Sequence, residues 1–149
     1  MATGQSDIKL DPGSILHGSC VSYQGNGLLI IGPSGSGKSS LALEMMALGA
    51  SLVSDDRCVI SENSDQLFAA PTESIAGLIE ARGVGILKAS YEPSVKVCAV
   101  LDLTKSESER LPERRSRQIM GVNIPCFLKA TSTPMAAAMM QLLKAGRHA

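Results

Sequence analysis

The stretch Leu28-Leu29-Ile30-Ile31-Gly32-Pro33-Ser34-Gly35-Ser36-Gly37-Lys38-Ser39-Ser40 decides the fold. Four consecutive apolar residues stopping at a glycine read as a short strand buried on both faces. From Ser39 to Leu48 the apolar positions Leu41, Leu43, Met45, Met46 and Leu48 predict a helix, with Gly49 where a C-terminal cap belongs. Between strand and helix, Gly32 to Ser39 satisfies G-x-x-x-x-G-K-[ST]. Glycines let successive backbone N–H groups curl around a phosphate, and the helix that follows sets its positive end beneath it. Lys38 has the reach to meet β- and γ-phosphates, and the Ser39 hydroxyl suits a Mg²⁺ ligand. Gly32, Pro33, Ser34, Gly35, Ser36, Gly37, Lys38, Ser39 and Ser40 are therefore the candidate nucleotide-binding residues.

Outward from this unit the pattern is mostly β. Residues 1–13 are polar and contain Gly4, Pro12 and Gly13, which predicts a loose lead-in before a single domain over 14–149. Ile15 to Tyr23 reads as a strand, and the cluster Gln24-Gly25-Asn26-Gly27 as the turn that closes it onto Leu28–Ile31. Ser51-Leu52-Val53 begins a further strand, and Arg57–Ile60 and Gln66–Ala69 flank a turn at 61–65. Ile75 to Ile79 fits helix or strand. Val95 to Leu103 is a β run, the charged stretch Thr104–Arg117 a loop or short helix, and Ile119–Leu128 a strand. Pro134 to Ala145 predicts a helix with proline in its first turn and Met135, Met139, Leu142 and Leu143 on one face.

Three further places carry chemistry. Ser54-Asp55-Asp56 follows Leu52-Val53 directly. A strand leaving the loop-helix unit ends near the phosphates, so a carboxylate there can meet Mg²⁺ or an attacking hydroxyl. Adjacent side chains on extended backbone point different ways, so one aspartate can serve as base while the other orients the metal or a neighbour. In Glu80-Ala81-Arg82-Gly83-Val84-Gly85-Ile86 the glycines allow close backbone approach and the carboxylate has an arginine beside it. By itself this reads as an ordinary turn with a surface ion pair. His17, beside Gly18 in an apolar strand, reads as a satisfied core histidine.

Composition excludes several function classes. Of 149 residues 44% are hydrophobic, which suits one domain with one core. Fourteen basic residues balance fourteen acidic ones, without the basic excess of a nucleic-acid binder, and the lack of Trp with only two Tyr and two Phe leaves no stacking platform. No apolar run approaches the roughly 18–20 residues of a membrane span, and the N-terminus lacks signal-peptide pattern. Cys20, Cys58, Cys98 and Cys126 lie far apart among apolar residues and read as buried free thiols in a reducing compartment. A cytoplasmic chain with no membrane contact is expected.

Leu16-His17-Gly18, the glycine loop, Ser54-Asp55-Asp56-Arg57 and Ile79–Ile86, in this order, resemble the catalytic domain of HPr kinase/phosphorylase, the bacterial family that phosphorylates a serine of the phosphocarrier HPr. The last segment matches the family's E-x-R-G-x-G signature, which is far more specific than a glycine loop. The resemblance runs from about Ile15 to Leu128 and is to the short α-proteobacterial form, which lacks an additional N-terminal domain. It implies an α/β fold: a P-loop kinase core of the phosphoenolpyruvate carboxykinase-like type, with a mixed β-sheet and flanking helices. It also implies an ATP- and Mg²⁺-dependent serine kinase with HPr as partner, assembled as a homo-oligomer, a hexamer in the family. By the same resemblance Asp55 takes the proton from the HPr serine, His17 lies near Asp55 and tunes it, and Asp56 supports the site. Lys38 steadies the transferring phosphoryl group, Ser39 and Glu80 hold Mg²⁺, and Arg110 resembles a family arginine that faces phosphoryl charge. Lys129-Ala130-Thr131-Ser132-Thr133-Pro134 stands where the family carries a basic P-V-K-x-G-R stretch, which favours kinase activity over phosphorolysis. A small-molecule P-loop kinase and an ATP-binding regulatory sensor share the glycine loop, although a sensor would need no carboxylates.

Overall fold

Tight turns set the length of the strands. In the computed structural model, which describes residues 8–149, β1 (Ile15–Tyr23) and β2 (Asn26–Ile31) are joined by Gln24-Gly25 alone, at φ 49° and 83°. Ser64-Asp65 (φ 53° and 61°) joins β4 (Arg57–Asn63) to β5 (Gln66–Pro71), and Met120-Gly121 (φ 50° and 77°) joins β9 (Arg115–Ile119) to β10 (Val122–Ala130). Two-residue loops with positive φ at both positions match the right-handed twist of the flanking strands. The strands accordingly run longer than expected at 24–27 and 61–65, and the single strand expected over 119–128 is two strands.

A larger correction concerns the charged stretch 104–117, expected as loop or short helix. β8 (Val95–Glu107) continues through its first residues, and Arg115 already belongs to β9. After a bulge between Leu128 and Lys129, β10 pairs with Ser106 and Glu107 of β8. Two charges of the stretch are paired within the sheet: Arg117 donates to Asp102 at 2.9 Å, and Arg115 pairs with Glu107.

The large sheet runs β2-β1-β4-β5-β8-β10-β9, with β3 (Ser51–Ser54) paired to β1. β2 also pairs with β8, so β1, β2, β8, β5 and β4 close a circuit. β2 and β10 run parallel to β8 and the other pairings are antiparallel, giving the expected mixed sheet. A separate ribbon consists of β6 (Leu78–Ala81) and β7 (Gly85–Lys88). The undecided segment 75–79 splits: a 3-10 turn ends at Ile75 and β6 begins at Leu78.

The apolar pattern places two cores on either side of β2. Leu28 and Ile30 face α1 (Lys38–Ala47) and α2 (Met135–Ala145) with Leu41, Met45, Leu101, Met139 and Leu143. Leu29 and Ile31 face the opposite core of Leu16, Val53, Ile60, Leu67, Val100 and Ile119. β2 is thus buried on both faces, as four apolar residues in a row require. α1 ends one residue earlier than expected. Gly49 at φ 113° lets its N–H reach Met46 O (3.1 Å) and that of Ala50 reach Met45 O (3.0 Å).

The lead-in is held from Ile8 onward: the Ile8 N–H donates to Gln118 O at 2.8 Å, and Ile8 and Leu10 pack against the second core. The remainder of the expected lead-in, residues 1–7, lies outside the described residues. Among the described residues no helix is long and apolar enough to cross a membrane.

Cys20, Cys58 and Cys126 are buried free thiols, whereas Cys98 on β8 is partly exposed, against expectation. Burial pushes the Cys58 thiol up to about 12 and raises Cys20 well above its ordinary value, so neither forms thiolate near neutrality. Iodoacetamide applied to the native protein should alkylate Cys98 first and Cys20 and Cys58 only after denaturation. Peptide mapping that found Cys58 labelled as fast as Cys98 would contradict this packing.

Candidate functional site

Because β3 and β4 both pair with β1, the chain must turn between them within two residues, and these are Asp55 and Asp56. The corner is tied by Gly18 N–H donating to Asp56 O (3.0 Å) and Arg57 N–H to Asp55 O (2.8 Å). Asp56 takes φ 67°, a left-handed conformation that short polar side chains such as aspartate tolerate. Gly18 is required beneath the corner, since a Cβ there would stand 2.7 Å from Ile30 O.

The two carboxylates occupy different environments. Asp55 is 6% exposed, and three donors fill it. Ser39 Oγ (2.6 Å) and Ser19 Oγ (2.9 Å) donate to Oδ1, and the Glu80 N–H (3.1 Å) donates to Oδ2. This aspartate therefore joins α1, β1 and β6 at one point. Asp56 is exposed and faces the cleft, with its backbone N–H on Ser19 Oγ at 3.2 Å. Of the pair, Asp56 is the more exposed carboxylate, and both border the cleft.

Gly37 precedes α1 as its N-cap at φ 99°, and no side chain caps the helix N-terminus. The Lys38 side chain is drawn in, with Nζ donating to Gly32 O (2.8 Å) and Pro33 O (3.2 Å). Ser36 Oγ is buried without a hydrogen-bond partner. The resulting cleft, about 280 Å³, is lined by Ser34, Gly35, Gly37, Lys38, Ser39, Ser40, Asp55, Asp56, Glu80 and Arg82. No apolar side chain lines it. An uncapped helix start and a lysine fit the phosphates of a nucleotide.

The donor set also fits Mg²⁺. Ser39, Asp55 and Glu80 offer only oxygen, which suits a hard cation. Among the described residues no three His, Cys, Asp or Glu converge on a metal position. Mg²⁺ in nucleotide sites is typically held by one or two carboxylates together with substrate phosphates and water, and needs no such cage. Glu80 remains available for this role: its contact with Arg82 spans 3.9 Å between two exposed side chains and is weak.

His17 and Arg110 fall outside the cleft. His17 is 60% exposed and pairs with Asp11, so it is neither a core histidine nor bonded to Asp55. Its strand partner is Arg57, which turns its side chain toward solvent beside the corner. Arg110 lines a different cavity, about 330 Å³, beside Glu107, Arg115 and Arg147. There the Arg115 hydrogen bond holds Glu107 below the ordinary carboxylate range. Ser19 and the Glu80 N–H complete the site and were not expected. The signal for Ser19 was a hydroxyl within a run of buried residues on β1, one of two together with Ser22.

The model of the HPr serine kinase C-terminal domain matches residues 8–132, which takes in every site residue above. HPr kinase/phosphorylase of Thermoanaerobacter sp. (strain X514) is 37% identical over 116 residues, covering 72% of this chain and 38% of that protein. The enzyme of the same name from Geobacillus thermodenitrificans is 33% identical over 136 residues, covering 83% of this chain and 44% of that protein. This chain thus spans about two fifths of the length of these curated relatives. In fold it is similar to the Hpr(Ser) kinase/phosphatase structure from Coxiella burnetii, with a TM-score of 0.74, 22% identity, and coverage of 87% of this chain and 93% of that one.

Proposed function

Since the chain belongs to the HPr serine kinase C-terminal domain family, we propose that it transfers the γ-phosphoryl group of ATP to a serine hydroxyl of HPr with Mg²⁺ as cofactor. The observation that carries this reading is the division of labour at the Asp55-Asp56 corner: one carboxylate bound to the loop serine, the other open in the same cleft.

In this mechanism the helix start and Lys38 bind the phosphates, and Lys38 leaves the Gly32 and Pro33 carbonyls to do so. Ser39 and Glu80, with Asp55 beside them, would hold Mg²⁺, which would supply positive charge against the phosphates. Asp55 fixes the Ser39 hydroxyl and, through the Glu80 N–H, the strand that bears the Glu80 carboxylate. Asp56 accepts the serine proton while the serine oxygen forms its bond to phosphorus. The bond from phosphorus to the bridging oxygen breaks, and ADP leaves. A serine hydroxyl is a weak nucleophile, so a positioned acceptor is needed.

We propose the kinase direction over phosphorolysis because Thr131, Ser132 and Thr133 border the cavity of Arg110, away from the phosphate cleft. The reading is tested by offering HPr and GMP separately as acceptors with ATP and Mg²⁺. Phosphorylation of HPr but not GMP, abolished by chelation of Mg²⁺, is the expected result. Phosphorylation of GMP alone would make the chain a small-molecule kinase.

A further inference from the structure

A second cavity adjoins the phosphate cleft and shares Asp55, Asp56 and Glu80 with it. Its volume is about 290 Å³, and its remaining walls include Ile75, Leu78, Ile79 and Ile86. The linings differ: serines, glycines and charged groups on one side of the carboxylates, and isoleucine and leucine with Arg57 on the other.

We propose that this groove is the acceptor subsite and that it receives an apolar side chain neighbouring the phosphorylated serine of the protein substrate. Two arguments lead there. Attacking and leaving oxygens lie roughly in line in phosphoryl transfer, so the acceptor approaches the shared carboxylates from a side the donor does not fill. Among the described residues, the groove is the wall of the pair able to bury apolar surface. A nucleotide or sugar acceptor would gain nothing from such a wall, whereas a protein segment would.

Ile86 is the residue on which recognition turns. It stands directly opposite Glu80 in the β6–β7 register, so the two side chains share a face of the ribbon. It is 68% exposed, and Val84, two residues away on the same ribbon, is 76% exposed. Ile86 beside the carboxylates and Val84 in the adjoining turn are exposed apolar side chains that a docked partner would cover.

The inference rests on the kinase reading, and the experiment separates the two. HPr phosphorylation is followed with wild type, Ile86→Ser and Ile86→Leu. Ile86→Ser removes apolar surface worth on the order of one buried side chain, so KM for HPr should rise about ten-fold. ATP affinity and kcat at saturating HPr should stay at the wild-type level, and Ile86→Leu should restore KM. An unchanged KM in Ile86→Ser overturns the subsite while leaving the kinase intact. Loss of ATP affinity or kcat in Ile86→Ser that Ile86→Leu also suffers would assign Ile86 to the architecture of the metal site and overturn it too. If wild type itself phosphorylates no HPr, the kinase reading fails and the subsite with it.

Discussion

Asp56→Asn is expected to lower kcat for HPr phosphorylation by about 10²- to 10⁴-fold, the usual range for loss of a positioned general base. ATP affinity should hardly change, because phosphate binding is assigned to Lys38, Ser39 and the start of α1. Stability should hardly change either. The Asp56 side chain is exposed, and the bonds that fix the corner, from Gly18 N–H to Asp56 O and from Asp56 N–H to Ser19 Oγ, are made by backbone atoms that the substitution keeps. Asparagine also tolerates the φ of 67° found there. The measurements are steady-state kinetics and thermal unfolding on the same preparations. A variant with wild-type kcat would remove Asp56 from the mechanism.

Asp55→Asn should behave differently, and the difference is the test of the assignment. The buried Asp55 carboxylate accepts from Ser19, Ser39 and the Glu80 N–H. An asparagine side chain has one acceptor oxygen and an NH₂ group, so one edge that now accepts would have to donate. Turned toward Glu80, the NH₂ opposes a backbone N–H. Turned the other way, it leaves the Glu80 N–H satisfied and meets two hydroxyls, each of which must rotate its proton elsewhere. Leaving a buried donor unsatisfied costs about 1–3 kcal/mol, so a fall in unfolding free energy of about 2 kcal/mol is expected. The Mg²⁺ concentration needed for half-maximal activity should rise as well, since Ser39 loses the group that orients it. A loss of kcat with no loss of stability and no change in Mg²⁺ requirement would return the base role to Asp55.

The glycine loop was legible because everything it needs is local. Strand, loop and helix follow one another from Leu28 to Leu48, and each has its own short-range signal. The mixed sheet with flanking helices, expected from the resemblance, is the fold observed. The environments of Asp55 and Asp56 were not legible, because they depend on which carboxylate meets Ser19 and the Glu80 N–H, groups far from it in sequence. Two adjacent aspartates look alike until the corner between β3 and β4 turns one inward and the other out. His17 was misread for a related reason. Its apolar neighbours in sequence are buried, but it projects from the opposite face of β1 and finds Asp11. The strand break at Met120-Gly121 escaped notice because methionine is not among the residues that announce a turn with positive φ at both positions. The stretch 104–117 is loop only over residues 108–114; the strands at its two ends were missed because the charges were counted along the chain. Their partners, Glu107 with Arg115 and Asp102 with Arg117, are matched across strands.

The measurement that tests the central claim most directly is the fate of labelled γ-phosphate when this chain is mixed with ATP, Mg²⁺ and HPr, followed by mapping of the modified residue. The account predicts one phosphoserine on HPr, formed by wild type and nearly absent with Asp56→Asn, although both proteins bind ATP equally. Tight ATP binding with no label on HPr would contradict it and would make the cleft the sensing site of a nucleotide-regulated protein.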